Sequence, residues 1–366
     1  MKILSFQPCS LYQNGGAGRL LRRLYLGHES QIISLFVNKT SFSNRTDEVR
    51  EISISAFPVQ RTWMRWKLRP FFAWIRDKVF FSFTKNRVIE AASKISYDVL
   101  HVINHGIYSG VLCDDNFLNN KKLWVSFHDH FSLCSSFDDT QILWNRADRR
   151  LVISNELGLE YQRLFGNLGF EFITDGVAQE EISIPKEPNQ SNITIYFAGL
   201  LHIDYYPLFE VLADALDNIS DQKRTYKLIL RGTQKLSFLN NRNFNIEYRT
   251  DFVSDIEIKK EIDAADILYL PIKFTKSDFY LYSLSTKMIG YLGGGGTILY
   301  HGPENSAANR LLQKNNAAIS CISLNVNEMM GCLAEILKPN IFSANAMKLA
   351  QSQFVLENIQ KVFWNE

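Results

Sequence analysis

The segment SLSTKMIGYLGGGGTILYHGP, residues 283–303, concentrates the side chains best suited to chemistry. Ser283, Ser285 and Thr286 bring hydroxyls, and Lys287 a cation, to the start of a short apolar helix. Four glycines (293–296) end that helix, a β-type run follows over 297–300, and a Gly-Pro turn opens the next helix. Free backbone N–H groups at a helix start, with hydroxyls and a cation beside them, suit an anion. A strand end followed by a second helix start adds a polar crevice of the kind open α/β sheets use for ligands. The ligand suggested is a diphosphate. The alternative is an ordinary αβα unit with a glycine C-cap.

The first half repeats the theme. KILSF leads into a polar loop, then Gly15-Gly16-Ala17-Gly18-Arg19 and the amphipathic LLRRLYL: strand, glycine loop, helix, with a cation in the helix's first turn. The spacing is not GxGxxG, and the loop is longer than a dinucleotide turn, as a flap over a cleft would be. His128-Asp129-His130 ends the run KLWVSF. Adjacent strand residues point to opposite faces, so this triplet does not converge on one metal ion. His101 and His105, around DVLHVIN, read as structural or hydrogen-bonded core residues. Arg231 ends YKLILRG at a carboxyl edge, where it either faces a ligand or is merely solvated. Glu304, after HGP, is either a ribose-binding carboxylate or an acid favoured by the helix dipole. No D-x-D metal motif occurs.

At 366 residues the chain has room for two domains, each with its own core. It is 46% hydrophobic and 21% charged, which reads as globular rather than disordered. A net charge of only +2 argues against general nucleic-acid binding. The five cysteines are scattered without a CxxC pair, so they read as reduced thiols of a cytoplasmic protein. No signal peptide precedes the first strand, and no run of about 18 apolar residues could span a bilayer.

These groups need a scaffold, and the chain alternates β-type runs with helical patterns. KILSF, QIISLFV, EISIS, DVLHVIN, KLWVSFHD, RRLVIS and EFITDGV come first. A linker-like break with two prolines follows at 178–192, and then ITIYFAG, YKLILRG, IEYRTDF, ADILYLPI, GTILYHG and AAISCIS. Helices are expected around 327–337 and 343–363. The pattern predicts an α/β protein with two doubly wound parallel sheets.

Here the chain resembles family 4-type bacterial glycosyltransferases of the GT-B fold, two Rossmann-like domains facing a central cleft. The GGAGR loop, SFHDH, VISNELGLEY and STKMIGYLGGGGTILYHGP followed by ENSAANRLL carry the resemblance, nearest to a subgroup with the donor helix P-T-K-x-x-E-Y-x-A-x-G-x-P-I. It implies an acceptor-side domain at 1–178, a linker at 179–192, a nucleotide-sugar-binding domain at 193–345, and a final helix at 346–366 returning to the first domain. Phe354, Leu356, Ile359, Val362 and Phe363 form the apolar stripe of that helix, with Trp364 beyond it. The resemblance implies catalytic roles for His128, Arg231 and Lys287. Donor binding falls to Gly16, Gly199, Ser283, Leu284, Ser285, Thr286 and Glu304, and acceptor binding to Gly15, Arg19 and Asp129. The reaction it implies retains configuration, with the leaving phosphate taking the acceptor's proton. No metal or cofactor is expected; the nucleotide sugar is a substrate, and the acceptor a glycan or lipid-linked sugar of surface polysaccharide.

There are departures. The family's donor-helix Glu matches Gly290, its other Glu falls on Tyr282, and AGLLHIDYY (198–206) lacks the usual Arg and Lys diphosphate clamp. A catalytically silent scaffold of a glycan-assembly complex is the reading these losses favour.

Residues 59–88 stand apart. Arg61, Arg65, Lys67, Arg69, Arg76, Lys78, Lys85 and Arg87 interleave with Trp63, Trp66, Phe71, Phe72, Trp74, Phe80, Phe81 and Phe83, against the single acid Asp77. This pattern suits an interfacial helix on the anionic inner face of a membrane, with Trp63, Trp66, Lys67, Arg69, Phe71 and Trp74 as anchors. The alternative is a helix pair packing its aromatics into the core.

Overall fold

The computed structural model describes all residues except 14–15, 41–48, 61–67, 119, 221–223, 252, 339–340 and 366. The chain divides into two compact units, Met1–Thr174 and Asp175–Glu366.

The first unit is built on strands β1 (Ile3–Gln7), β2 (Ile32–Thr40), β3 (Arg50–Gln60), β4 (Val99–Ile103), β5 (Lys122–Phe127), β6 (Arg149–Val152) and β7 (Glu171–Phe172). They form one sheet in the order β3-β2-β1-β4-β5-β6-β7, with every pair parallel. All five residues of β1 and of β4 are buried, as a parallel sheet covered on both faces requires. The strand order reverses between β1 and β4, so the connections leaving these strands diverge and open a crevice at their carboxyl ends. Ser154 caps the helix Asn155–Phe165 by accepting from Leu157 N–H, which makes VISNELGLEY a strand-to-helix step.

Polar side chains cross this sheet in register. Glu51, Ser34, Ser5 and His101 are successive partners on β3, β2, β1 and β4, and therefore share one face. The His101 imidazole bridges Ser126 Oγ and the Tyr25 hydroxyl at 2.7 Å each, and Tyr25 donates to Ser5 at 2.8 Å. Gln7 links Ser5 to Ser34, and Ser34 donates to Glu51 at 2.9 Å. Glu51 also accepts from Ser10 Oγ and, at 2.8 Å, from Leu11 N–H, which ties down the loop after β1.

The second unit is built on β8 (Asn192–Ala198), β9 (Thr225–Arg231), β10 (Asn245–Arg249), β11 (Ile267–Pro271), β12 (Thr297–His301) and β13 (Ile319–Cys321). Their order is β10-β9-β8-β11-β12-β13, again all parallel, with the reversal between β8 and β11. Phe197, Phe209, Leu228, Leu230 and Tyr269 are among its core residues. The expected runs of both halves are thus strands, and the doubly wound parallel reading holds.

The glycine run serves packing. A Cβ on Gly296 would lie 2.6 Å from Ala265 O, and one on Gly293 would lie 2.6 Å from the Val177 side chain. The stretch 179–192 is ordered on this unit: Ser183 and Lys186 N–H donate to the carbonyls of Gly293 and Gly295. The expected helix 343–363 is two helices, Phe342–Gln353 and Leu356–Trp364. They part where Phe354 O and Leu356 N–H bond to Val177, so the backbone there turns aside from the helix. Phe354, Leu356, Ile359, Phe363 and Trp364 are buried, whereas Val362 lies on the outer face, half exposed.

Candidate functional site

In the second unit the candidate residues gather at the carboxyl end of β8. Ala198 N–H donates to the Tyr291 hydroxyl at 3.2 Å, and Gly199 N–H donates to Arg231 O at 2.9 Å. Gly199 has φ +139°, a backbone conformation that L side chains rarely adopt. Beside it stands Lys287, in the first turn of the helix Thr286–Leu292, whose N-cap Ser285 accepts from Lys287 N–H at 3.2 Å. The Lys287 ammonium lies 4.3 Å from the centre of the Phe197 ring, and a Cβ on Gly199 would come within 2.6 Å of Nζ. Only glycine leaves that ammonium its place. Burial pulls it down to about 8. The position therefore favours an anionic partner that would restore the full charge.

The other donor-side residues divide. Ser283 and Thr286 are half-buried next to the capping Ser285, and Leu284 is buried beneath them. Glu304 sits exposed in the turn before the helix Ala307–Lys314, whose N-cap is Ser306. Arg231 ends β9 as expected, but its guanidinium is committed elsewhere. It pairs with Glu261 in a two-pronged contact and donates to Asp251 O at 2.9 Å. Arg249, at 2.8 Å, and the Tyr196 hydroxyl, also at 2.8 Å, complete the shell around Glu261. Burial alone would raise the Glu261 carboxyl, yet the hydrogen bonds from Arg231, Tyr196 and Arg249 prevail and hold it at about 2.

A further cation was not singled out from the sequence. Lys273 follows β11, 3.4 Å from Asp204 Oδ2 and facing the rings of Tyr205 and Phe279. The rule that selected Arg231, a cation just past a strand's carboxyl end, would have selected Lys273 as well.

In the first unit His128 follows β5 directly, with its ring buried and Nδ1 without a hydrogen-bond partner among the described residues. Burial, and then the nearby His105, hold the imidazole down at about 4, so it is neutral near pH 7. Asp129 is half-buried, and its carbonyl accepts from Tyr161. His130 turns away to Ser132 Oγ at 2.9 Å and packs on Phe131. His101 is the core residue expected of it. His105 is not: it is exposed, on the turn after β4, where the chain has left the sheet. With Gln7, Pro8, Gly106 and Ser109 it lines a depression at the β1/β4 reversal. Gly16 opens the helix Gly16–Tyr25 and is exposed, Arg19 in its first turn is half-buried, and Gly15 lies outside the described residues. A Cβ on Gly18 would meet the carbonyls of Leu11 and Gln13 at 2.7 and 2.9 Å, so this glycine lets the loop fold over the helix start. Among the described residues, no group of three His, Cys, Asp or Glu side chains is arranged to hold a metal ion.

Of the expected membrane anchors, Trp63, Trp66 and Lys67 lie outside the described residues, Arg69 is half-buried, and Phe71 and Trp74 are exposed. Among the described residues, no helix is long and apolar enough to cross a membrane.

No protein-family model and no curated protein matches the sequence. Solved structures do. HepE of Anabaena, in complex with UDP and glucose, aligns over 100% of this chain and 98% of its own, with a TM-score of 0.67 and 14% identity. A trehalose-6-phosphate protein of E. coli bound with UDP-2-fluoro glucose aligns over 100% and 98%, with a TM-score of 0.65 and 11% identity. The N-terminal domain of the Candida albicans trehalose-6-phosphate phosphatase aligns over 100% and 96%, with a TM-score of 0.67 and 10% identity. At these identities the likeness is one of fold. With its two all-parallel sheets, the chain has the two-domain, Rossmann-like GT-B fold.

Proposed function

We propose that the chain is a glycosyltransferase, of the family 4 type, that takes its sugar from a nucleotide-sugar donor. The acceptor is a glycan or lipid-linked sugar in surface polysaccharide assembly. The observation that carries this reading is the Lys287 ammonium, held between the Phe197 ring and Gly199 at the carboxyl end of β8. A half-buried cation with a lowered proton affinity, at the crevice where α/β sheets bind ligands, is suited to a diphosphate leaving group. The UDP-bound structures of the same fold support that choice of ligand. In the transfer step charge grows on the leaving diphosphate as the glycosidic bond breaks, and Lys287 stabilises it without a metal ion. The leaving phosphate takes the proton of the acceptor hydroxyl, so the anomeric configuration is retained and no enzyme nucleophile is needed. The test is product formation across a nucleotide-sugar panel by wild type and Lys287→Ala. Unchanged turnover in the variant would remove Lys287 from this role.

A silent scaffold is the second reading. Gly290 and Tyr282 stand where the resembling family has carboxylates, and Arg231 is bound to Glu261 rather than available to a phosphate. Failure to bind any nucleoside diphosphate would favour it.

A further inference from the structure

The basic and aromatic segment of the first unit is sorted by its own backbone. The helix Arg69–Trp74 runs into a π-helical turn, Ile75–Val79, closed by Phe80 N–H donating to Ile75 O at 3.1 Å, and then into the helix Phe81–Ser93. Part of its aromatic content packs inward. Phe80 meets Phe57 at 4.8 Å edge to face, and Phe81 stacks on Tyr108 at 5.4 Å. The rest does not. Leu68, Phe71, Trp74, Val79 and Phe83 are each about half exposed, at 49, 54, 57, 58 and 54%. The core explanation therefore accounts for only some of the aromatics. Trp74 and Val79 stand five residues apart across the wide π turn, whose i→i+5 geometry brings such positions back toward one side.

Charge on this segment has one sign. Residues 68–87 hold Arg69, Arg76, Lys78, Lys85 and Arg87 against Asp77 alone. Asp77 is neutralised in place: Arg76 Nε and Nη2 donate to its two carboxylate oxygens at 2.7 and 3.0 Å. Lys78 and Lys85 are exposed, and Arg87 folds over the Phe83 ring at 5.8 Å. Large apolar side chains, cations on the same short segment and no uncompensated acid match the interface of an anionic bilayer, where aromatic rings enter at headgroup depth and lysines meet phosphate.

We propose that this face, centred on Phe71, Trp74, Val79 and Phe83 and bordered by Lys78 and Lys85, docks on an anionic membrane surface. The proposal does not depend on sugar transfer and goes beyond it.

The test is co-sedimentation of the full chain with vesicles of phosphatidylcholine alone and of phosphatidylcholine with about one third phosphatidylglycerol. Wild type is expected to bind the anionic vesicles at least about ten-fold more strongly than the neutral ones, and to be released by salt. Trp74→Ser/Phe83→Ser should lose most of that binding, and Lys78→Glu/Lys85→Glu should lose its salt-sensitive part. The charge variant keeps the test decisive if the apolar variant folds poorly. Absence of wild-type binding, or undiminished binding by both variants, would overturn the proposal. So would a wild-type dimer that Trp74→Ser/Phe83→Ser converts to monomer while vesicle binding is unchanged, because the face would then belong to a second copy.

Discussion

The two sheets distribute their polar groups differently, although both are parallel and both reverse order beside their first strand. The first unit threads one neutral imidazole, hydroxyls and an amide across its strands, from Ser126 through His101, Tyr25, Ser5, Gln7 and Ser34 to the carboxylate of Glu51. The second gathers charge at its edge: Lys287 beside Gly199, Lys273 with Asp204, and Arg231 and Arg249 around Glu261. Such a row costs little while every member is bonded, and it fixes strand register and loop position. A cluster of cations is tolerable when carboxylates or a ligand balance it. Arg231 has its carboxylate; Lys287 has the face of a ring. The contrast separates a hydrogen-bonded row inside one sheet from a charged edge on the other.

The largest effect expected from this contrast is staged acid sensitivity. In the first unit His101 and His128 are held at about 3 and about 4, below their ordinary 6.5, chiefly by burial. The unfolded chain therefore binds more protons below pH 6.5. The stability from keeping these rings neutral is present above 6.5 and is lost as pH falls toward 4 and then 3. Each group contributes up to about 1.4 kcal/mol per pH unit in its window. In the second unit Glu261 sits at about 2 instead of its ordinary 4.5, so its contribution persists down to 4.5 and is lost only below that. His301 of the second unit is held at about 4 in the same way, so both units weaken as pH falls, the first with two such rings and the second with one. Hydrogen exchange followed by mass spectrometry between pH 7 and 4.5 should show protection falling more steeply in residues 1–174 than in residues 175–366. An equal or steeper loss in the second unit would break the comparison.

Glu261→Gln sharpens the charged side. It leaves Arg231 without its carboxylate and Arg249 with Glu247 alone, and should cost about 3 kcal/mol in urea unfolding. A smaller effect is expected at Gly199. Ala there combines φ +139° with a collision at Lys287 and should cost about 2 kcal/mol. Gly232→Ala is the control, with φ +68° and nothing within 4 Å of a new Cβ, and should cost about 1 kcal/mol. Only the first should also weaken nucleotide binding.

Much of this frame was legible in the sequence. Parallel strands covered on both faces are written as short apolar runs, and the runs read as strands proved to be strands. Lys287 and Ser285 were placed by the same logic, because a hydroxyl, a cation and an apolar helix follow one another locally. What the sequence hid depends on distance in the chain. Glu51 and His101 join one polar row only through register across four strands, and the partner of Arg231 lies 30 residues away on the helix Asp255–Ala264. The glycines at 293–296 read only as the end of a helix, whereas close approach of Val177 and Ala265, invisible locally, explains Gly293 and Gly296. The break at Phe354–Val355 was likewise set by Val177, far upstream.

The measurement closest to the central claim is calorimetric titration of wild type and Lys287→Met with UDP, GDP, TDP and CMP. Burial opposes the charge on Lys287, so a neutral side chain of similar length should raise the melting temperature of the ligand-free protein. The account predicts that wild type binds a nucleoside diphosphate. Lys287→Met, although more stable, should bind it at least about ten-fold more weakly. Heat from none of the four nucleotides, or an affinity unmoved by the substitution, would contradict it.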